Sequence, residues 1–355
     1  MLIFKNRKKY KLILLNDNIN NVCINKDLYK QILDVKNDID NYKLDWEKSK
    51  KLLNKYENIY ISTNSNRNIC NITPISRSFF KLQQIIINYK LINNNVNTFT
   101  CIAEGPGGFI QSILHYTKNN TIDINKIYGI TLIDKDINSV PYWHQSILNN
   151  KEITILSGKD KTGNLYNIDN INNFIENITE KIDLITCDGG IDYSNNYNNQ
   201  EISSYRLLYS EIFLTLNIQK DNGSSVIKFF DLLHIKTIQL IFILSLVYDS
   251  VYIYKPTFSR KTNSEKYIIC KHYNKNDDII NLLKKYWTTI HKLNIKLPND
   301  FMNKINNYNN IFINEQCDYI NKILLINNYV GINSSKNDIN ECIKWCEMYQ
   351  IPIKT

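Results

Sequence analysis

Residues 98–109 read T-F-T-C-I-A-E-G-P-G-G-F. A β-branched and apolar run over 98–103 meets an acid and a Gly-Pro-Gly-Gly turn, and an amphipathic run follows over 109–116. That succession predicts strand, tight turn and helix, an arrangement that brings backbone N–H groups and a helix N-terminus up to a ligand. Glycines at 105, 107 and 108 allow positive φ and close backbone approach. Glu104, at the strand's end, is placed to accept hydrogen bonds from a ribose or an amino group. The stretch lacks G-x-G-x-x-G, which argues against a dinucleotide fold, and lacks G-K-[ST], which argues against a phosphate loop for ATP.

Working outward, strand and helix alternate. Strand runs fall at 98–103, 126–132, 152–156, 182–187, 224–230, 250–254 and 266–271, with helical runs at 111–116, 168–178, 203–218 and 233–247. This spacing predicts an α/β fold, a mostly parallel Rossmann-like sheet with helices on both faces. The last two strand runs are joined by residues 255–265 only, too few for a crossover helix, so the final strand is expected antiparallel. Ligands of such sheets sit at the carboxyl ends of the strands.

Upstream, residues 1–25 hold a basic segment and two short apolar runs, read as a hairpin. Residues 26–60 carry Leu28, Ile32, Val35, Ile39, Tyr42, Leu44, Leu52, Leu53 and Tyr56 at helical spacing, a peripheral arm with a solvated charged face. Pro74 precedes a helix, S-R-S-F-F-K-L-Q-Q-I-I-I-N-Y, with Phe80, Ile85 and Tyr89 on its core side and Ser76 or Ser78 as its cap. Beyond Tyr273 the strands stop, and 277–293, 302–328 and 338–349 read as helices. The expected division is an N-terminal arm over 1–73, a catalytic domain over 74–273 and a helical region over 274–355.

The 355 residues carry 43 Lys+Arg against 34 Asp+Glu, a net charge of +9 that favours a polyanionic partner. The Asn, Ile, Lys and Tyr bias reads as an AT-rich coding genome. The eight cysteines are scattered with no C-x-x-C pair, and Cys101, Cys187 and Cys270 fall in strand runs as buried thiols, which indicates a reducing compartment. Cys342 and Cys346 would share a helix face, but zinc is not expected. The basic stretch 5–11 is unlike a signal peptide, and the apolar run 238–247 is too short to span a bilayer, so no membrane association is expected.

Several charged groups fall where this topology exposes them: Glu104 after the first strand of the sheet, Asp134 and Asp136 after the second, Asp160 after the third, Asp188 after the fourth and Glu265 at the start of the last. An acid at a strand end is often only a loop or capping residue. Lys228 differs, because a lysine among Val226, Ile227, Phe229 and Phe230 in a central strand is costly unless paired. With Asp188 in C-D-G-G, it puts opposite charges in one crevice, as catalysis would need.

Taken in order, S-R-S-F-F-K-L, E-G-P-G-G-F, C-D-G-G, V-I-K and K-P-x-x-S-R-x-x-N-S-E-K-Y resemble the FtsJ-type (RrmJ-like) family of S-adenosyl-L-methionine-dependent ribose 2′-O-methyltransferases. The S-R-x-x-N-S-E signature resembles the branch that methylates capped mRNA, its viral members in particular. The resemblance covers residues 74–272. It implies a seven-stranded sheet with an antiparallel last strand and a Lys-Asp-Lys-Glu tetrad at Lys81, Asp188, Lys228 and Glu265. It implies a cofactor site at Glu104, Gly105, Pro106, Gly107, Gly108 and Phe109, with Asp160, Asp188 and either Asp134 or a backbone contact near Leu132. No metal is required. Lys228 is the expected base, its pKa lowered by desolvation and by Lys81, and raised by Asp188 and Glu265.

Arg77, Arg260 and Lys261 flank the tetrad as candidate phosphate contacts, and Tyr193, Tyr197 and Tyr205 as candidate stacking residues, although packing is the commoner use of a tyrosine in a chain with 24 of them. The partner implied is a capped mRNA 5′ end, with other capping-machinery proteins. The alternatives are a ribose methyltransferase of rRNA or tRNA, and a catalytically silent RNA-binding scaffold. Reduced thiols and the basic N-terminus fit cytoplasm, viral factory, virion or nucleus rather than secretion.

Overall fold

The computed structural model describes residues 2–5, 10–15, 22–61, 67–133, 140–190, 197–326 and 335–354. Its strands are β1 (Leu2–Lys5), β2 (Thr98–Ile102), β3 (Lys126–Ile130), β4 (Ile153–Ile155), β5 (Ile182–Cys187), β6 (Gln219–Phe229), β7 (Tyr248–Tyr254) and β8 (Lys266–Tyr273). They form one eight-stranded sheet in the order β1-β7-β8-β6-β5-β2-β3-β4. Strands β2 to β6 pair in parallel, and β8 runs antiparallel to both β6 and β7, as the short 255–265 connection implied. The seven expected strands are all present. The eighth, β1, replaces the expected hairpin: it pairs antiparallel with β7, Leu2 opposite Ile253 and Lys5 opposite Ser250. The free edge of β7 supplies the unpaired backbone groups that a short strand can satisfy.

The helices are α1 (Lys26–Asn37), α2 (Trp46–Leu52), α3 (Ser78–Tyr89), α4 (Gly108–Asn119), α5 (Gln145–Leu148), α6 (Ile168–Asn177), α7 (Gln200–Ile218), α8 (Ile235–Val247), α9 (Asp277–Lys285), α10 (Asn299–Leu324) and α11 (Lys336–Met348). Strand side chains alternate between two cores, as the two-residue period requires. Phe99, Cys101, Leu184, Val226, Tyr267 and Ile269 meet α3, α4 and α5 on one face. Ile102, Ile185, Cys187, Ile227, Phe229 and Ile268 meet α6 to α9 on the other. The apolar run over 238–247 has its explanation here. Helix α8 is pressed between the sheet and α10, with Phe242 and Phe301 rings 5.1 Å apart, and a helix buried on both sides is apolar all round. Among the described residues no helix is long and apolar enough to cross a membrane.

The arm is not one helix. Helix α1 ends at Asn37, a 3-10 turn follows over Asp38–Asn41, and α2 starts after its cap Asp45. Arm and C-terminal helices pack on each other and on the sheet. Leu28 and Ile32 of α1 meet Ile313, Cys317 and Ile320 of α10. Phe80 of α3 stacks on Phe258 at 4.4 Å, and Trp345 of α11 closes the same cluster beside Ile59. The start of α3 also differs from expectation: its cap position is Arg77 with no side-chain cap bond, because the Ser76 and Ser78 hydroxyls bond each other at 2.5 Å.

Candidate active site

Parallel strands β2, β3 and β5 end side by side, so the loops that follow them meet at one edge. After β2 the chain turns sharply, with Ala103 at φ 52° and Gly107 at φ 115°, a left-handed value that suits glycine. A Cβ on Gly107 would also lie 2.7 Å from Ile147. Glu104 does not face outward as its position suggested. It is 2% exposed, and its carboxylate accepts from the Phe109 amide at 2.6 Å and the Ile110 amide at 3.4 Å. The free amides of a helix N-terminus are the nearest donors to an acid five residues upstream, and they take it. Burial pushes this carboxyl well above its ordinary pKa, against the pull of those amides.

The loops after β3 and β4 are joined by the Ile133 amide, which donates to the Thr162 carbonyl at 2.7 Å. Leu132 is exposed on the first loop and Asp160 on the second. The Asp160 carboxylate accepts from the Thr162 amide at 2.9 Å, the Thr162 hydroxyl at 2.6 Å and Asn167 Nδ2 at 2.9 Å, and these donors hold its pKa well down. Asp134 and Asp136 lie outside the described residues.

Beyond β5 and β6 the four charged residues singled out in the sequence meet. Lys228 Nζ donates to the Asp188 carbonyl at 2.7 Å and lies 3.3 Å from Asp188 Oδ1. Lys81 Nζ, reaching in from α3, lies 2.7 Å from Glu265 Oε1, which also accepts from Ser259 Oγ at 2.6 Å. Strand register explains a fifth member. Lys228 is opposite Tyr267 across β6 and β8, so the two side chains share a face, and the Tyr267 hydroxyl donates to Asp188 Oδ1 at 3.0 Å. Burial works against the Lys228 charge, but Asp188 and Glu265 outweigh it and hold this ammonium above its ordinary pKa. The expected downward push from Lys81 does not prevail, because Lys81 is itself neutralised by Glu265. Glu265 is held down at about 2: burial would raise it, and Lys81 and Lys228 overcome that.

Below this group lies Glu211 of α7, fully buried, with neither carboxyl oxygen hydrogen-bonded. A Cβ on Gly189 would come within 2.2 Å of Glu211 Oε1, so the glycine of the C-D-G-G turn makes room for it. Burial raises its pKa to about 8 despite the nearby Lys228. Sequence reading passed over Glu211, Tyr267 and Ser259. Each left a trace: Glu211 has Leu207, Leu208, Leu214 and Thr215 three and four places away, which puts it on a buried helix face, Tyr267 is two places along the strand from Glu265, and Ser259 is the serine of the K-P-x-x-S-R stretch.

The flanking cations divide. Arg77 Nη1 and Arg260 Nε both bind Glu57 of the arm, at 2.9 and 2.8 Å, and the Arg77 guanidinium stacks 4.4 Å from the Phe258 ring centre. They are spent on holding the arm down. Lys261 pairs with Glu315 of α10 and lies 4.8 Å over the Tyr319 ring. Tyr205 packs on Tyr209, and its hydroxyl donates to the Ile290 carbonyl at 3.3 Å. Tyr193 and the side chain of Tyr197 lie outside the described residues.

Comparison with known proteins bears on this constellation. Residues 74–273 match the family model described as FtsJ-like methyltransferase. The chain is 28% identical over 243 residues to the cap-specific mRNA (nucleoside-2′-O-)-methyltransferase 2 of Drosophila melanogaster, covering 64% of this chain and 33% of that protein. It is 28% identical over 235 residues to the cap-specific mRNA (nucleoside-2′-O-)-methyltransferase of Autographa californica nuclear polyhedrosis virus, covering 64% of this chain and 84% of the viral one. A methyltransferase 2 of the same description from Pongo abelii is 27% identical over 287 residues, with 35% of its length covered. The match thus spans about a third of the two animal proteins and most of the viral one. With more than half of its residues inside the family model, this chain belongs to the FtsJ-like methyltransferase family.

Proposed function

We propose that this chain methylates the ribose 2′-hydroxyl of the first transcribed nucleotide of capped mRNA, with S-adenosyl-L-methionine as methyl donor and Lys81, Asp188, Lys228 and Glu265 as the reacting set. The observation that carries the reading is the convergence of two Lys–carboxylate pairs, from four separate segments, at the carboxyl edge of the sheet. The names of the relatives, cap-specific in animals and in a baculovirus, support the cap as substrate. The net charge of +9 suits a polyanion.

The donor set fits the cofactor. Asp188 keeps an accessible carboxylate edge, suited to a cationic group, while Leu132 and Asp160 stand exposed on adjoining, hydrogen-bonded loops, an apolar surface beside an acceptor as a nucleoside requires. In this reading the turn at Gly105, Pro106, Gly107, Gly108 and Phe109 forms the third wall, and Glu104 braces it from inside. When bound, the cofactor supplies an electrophilic sulfonium methyl.

Lys228 then takes the proton of the ribose hydroxyl. In the free protein it is firmly charged, so it must shed its own proton first, and transfer should speed up as pH rises. Asp188 fixes Lys228 through its carbonyl, and Tyr267 fixes Asp188. Glu265 stays ionised and holds the Lys81 ammonium in place at 2.7 Å, ready to donate to a ribose oxygen.

Transfer of labelled methyl to short RNAs, capped and uncapped, by wild type and Lys228→Ala tests this. Label on capped RNA alone, lost in the variant while cofactor binding persists, supports it. Label on uncapped structured RNA moves the substrate to rRNA or tRNA. Tight RNA binding with no label on any RNA means a scaffold.

A further inference from the structure

A cavity of about 700 Å³ opens between the arm and α10, beside the K-P-x-x-S-R loop. Its walls include Tyr56 from the arm, Tyr254 at the end of β7, and Tyr308, Phe312 and Tyr319 of α10, the first two one turn apart and the third two turns further on. The Tyr308 and Phe312 rings are stacked, 5.1 Å apart and 20° from parallel, as a flat ledge. Two ammonium groups stand over the same row of rings, Lys255 5.0 Å from the Phe312 ring centre and Lys261 4.8 Å from that of Tyr319. The Tyr308 hydroxyl is buried with no hydrogen-bond partner. Lys50 and Thr262 also line a second cavity, of about 580 Å³, whose wall includes Glu265 of the tetrad. The aromatic cavity therefore adjoins, across Lys50 and Thr262, the one that reaches the reaction centre.

Aromatic ledges with lysines above them match single-stranded nucleic acid, which offers a flat base to each ring and a phosphate to each ammonium. Burial and the neighbouring Lys266 ammonium depress Lys255 to about 7, so an anion arriving there would restore its charge. Of the three cations flagged in the sequence, Arg77 and Arg260 are held by Glu57 away from this cavity, and Lys261 lines it, paired with Glu315 on the same wall. The arm and α10, which supply most of the rings, lie outside the family-matched residues 74–273.

We propose that this cavity is an accessory subsite for single-stranded RNA, holding a nucleotide of the substrate strand away from the one at Glu265. The inference rests on the ribose-methylating reading above. It predicts that affinity rises with RNA length until the strand reaches the α10 ledge.

The test is binding of fluorescent capped RNAs, from a capped dinucleotide to an oligomer long enough to fill both cavities, by the full chain. Phe312→Ala and Tyr319→Ala are compared with wild type after circular dichroism confirms folding. Loss of a stacking ring should lower the ratio of oligomer to dinucleotide affinity about five- to hundredfold. Wild-type protein is also irradiated with oligomers carrying 4-thiouridine away from the 5′ end, where cross-links to the α10 peptide bearing Tyr308 and Tyr319 are expected. An unchanged ratio in both folded variants, or cross-links confined to other peptides, overturns the subsite and leaves the methylation reading standing. If wild type neither methylates nor binds any RNA, that reading fails and takes the subsite with it.

Discussion

Replacing Glu265 with glutamine removes a charge that two ammonium groups share. In the wild type its carboxylate lies 2.7 Å from Lys81 Nζ, with the two side chains 12% and 16% exposed, and with Asp188 it does most to hold Lys228 charged against burial. In Glu265→Gln the Lys81 ammonium remains in place without its counter-charge. Breaking a buried pair in this way costs about 3–5 kcal/mol, and we take the lower end because both side chains keep some contact with solvent. At about 1.3 °C per kcal/mol for a chain of 355 residues, Tm at pH 7 should fall by roughly 4 °C. The carboxyl is depressed to about 2 from 4.5, so its stabilisation is present above 4.5 and is lost as pH falls towards 2. The gap between wild type and variant should therefore close in acid. The double variant Lys81→Met/Glu265→Gln, which leaves no orphaned charge, should recover most of the loss. In the methyl-transfer assay, should the double or single variant retain turnover, the alkaline limb moves to lower pH because Lys228 has lost one of its supporting carboxylates. A single variant that melts with the wild type at pH 7, or a double variant no more stable than the single, would refute the account of this pair.

Glu211→Gln should raise Tm at pH 8 and make no difference near pH 4. The buried carboxyl keeps its proton up to about 8 while the unfolded chain loses it near 4.5, so folding is penalised increasingly between those values, and glutamine removes the penalty. Thermal unfolding across that range checks it, and a variant less stable than wild type at pH 8 would contradict it. Glu57→Gln should cost about 3 kcal/mol and expose the arm to proteolysis, since Arg77 and Arg260 lose the carboxylate that both bind. Limited proteolysis that cuts variant and wild type at equal rates around residues 38–61 would show that other contacts hold the arm.

Much of the site was readable because its residues answer to local rules. A two-residue period and Gly-rich turns mark where strands end, and parallel strands joined by helices must present those ends at one edge, so Asp188 and Lys228 could be brought together from pattern alone. Lys228 stood out because an unpaired ammonium in a central strand is costly. The direction of β8 followed from the shortness of residues 255–265.

Other features depend on contacts between segments far apart in the chain, and no local pattern records them. Glu104 looked like a ligand-facing acid, yet the amides of its own helix were nearer than any solvent-side partner. Arg77 and Arg260 looked free, and it is the arm that brings Glu57 to them, 20 residues of sequence from the first and 203 from the second. The sign of the shift at Lys228 turned on how close Asp188 and Glu265 come to it, a matter of ångströms. The helical tail had no legible role until α10 lay against α1 and α8 and set its rings over a cavity. Periodicity and turn chemistry determine where elements begin and what each face is made of. Which charges neutralise one another, and what surface two distant helices enclose, is decided only when packing fixes their separation, because both effects fall away within a few ångströms.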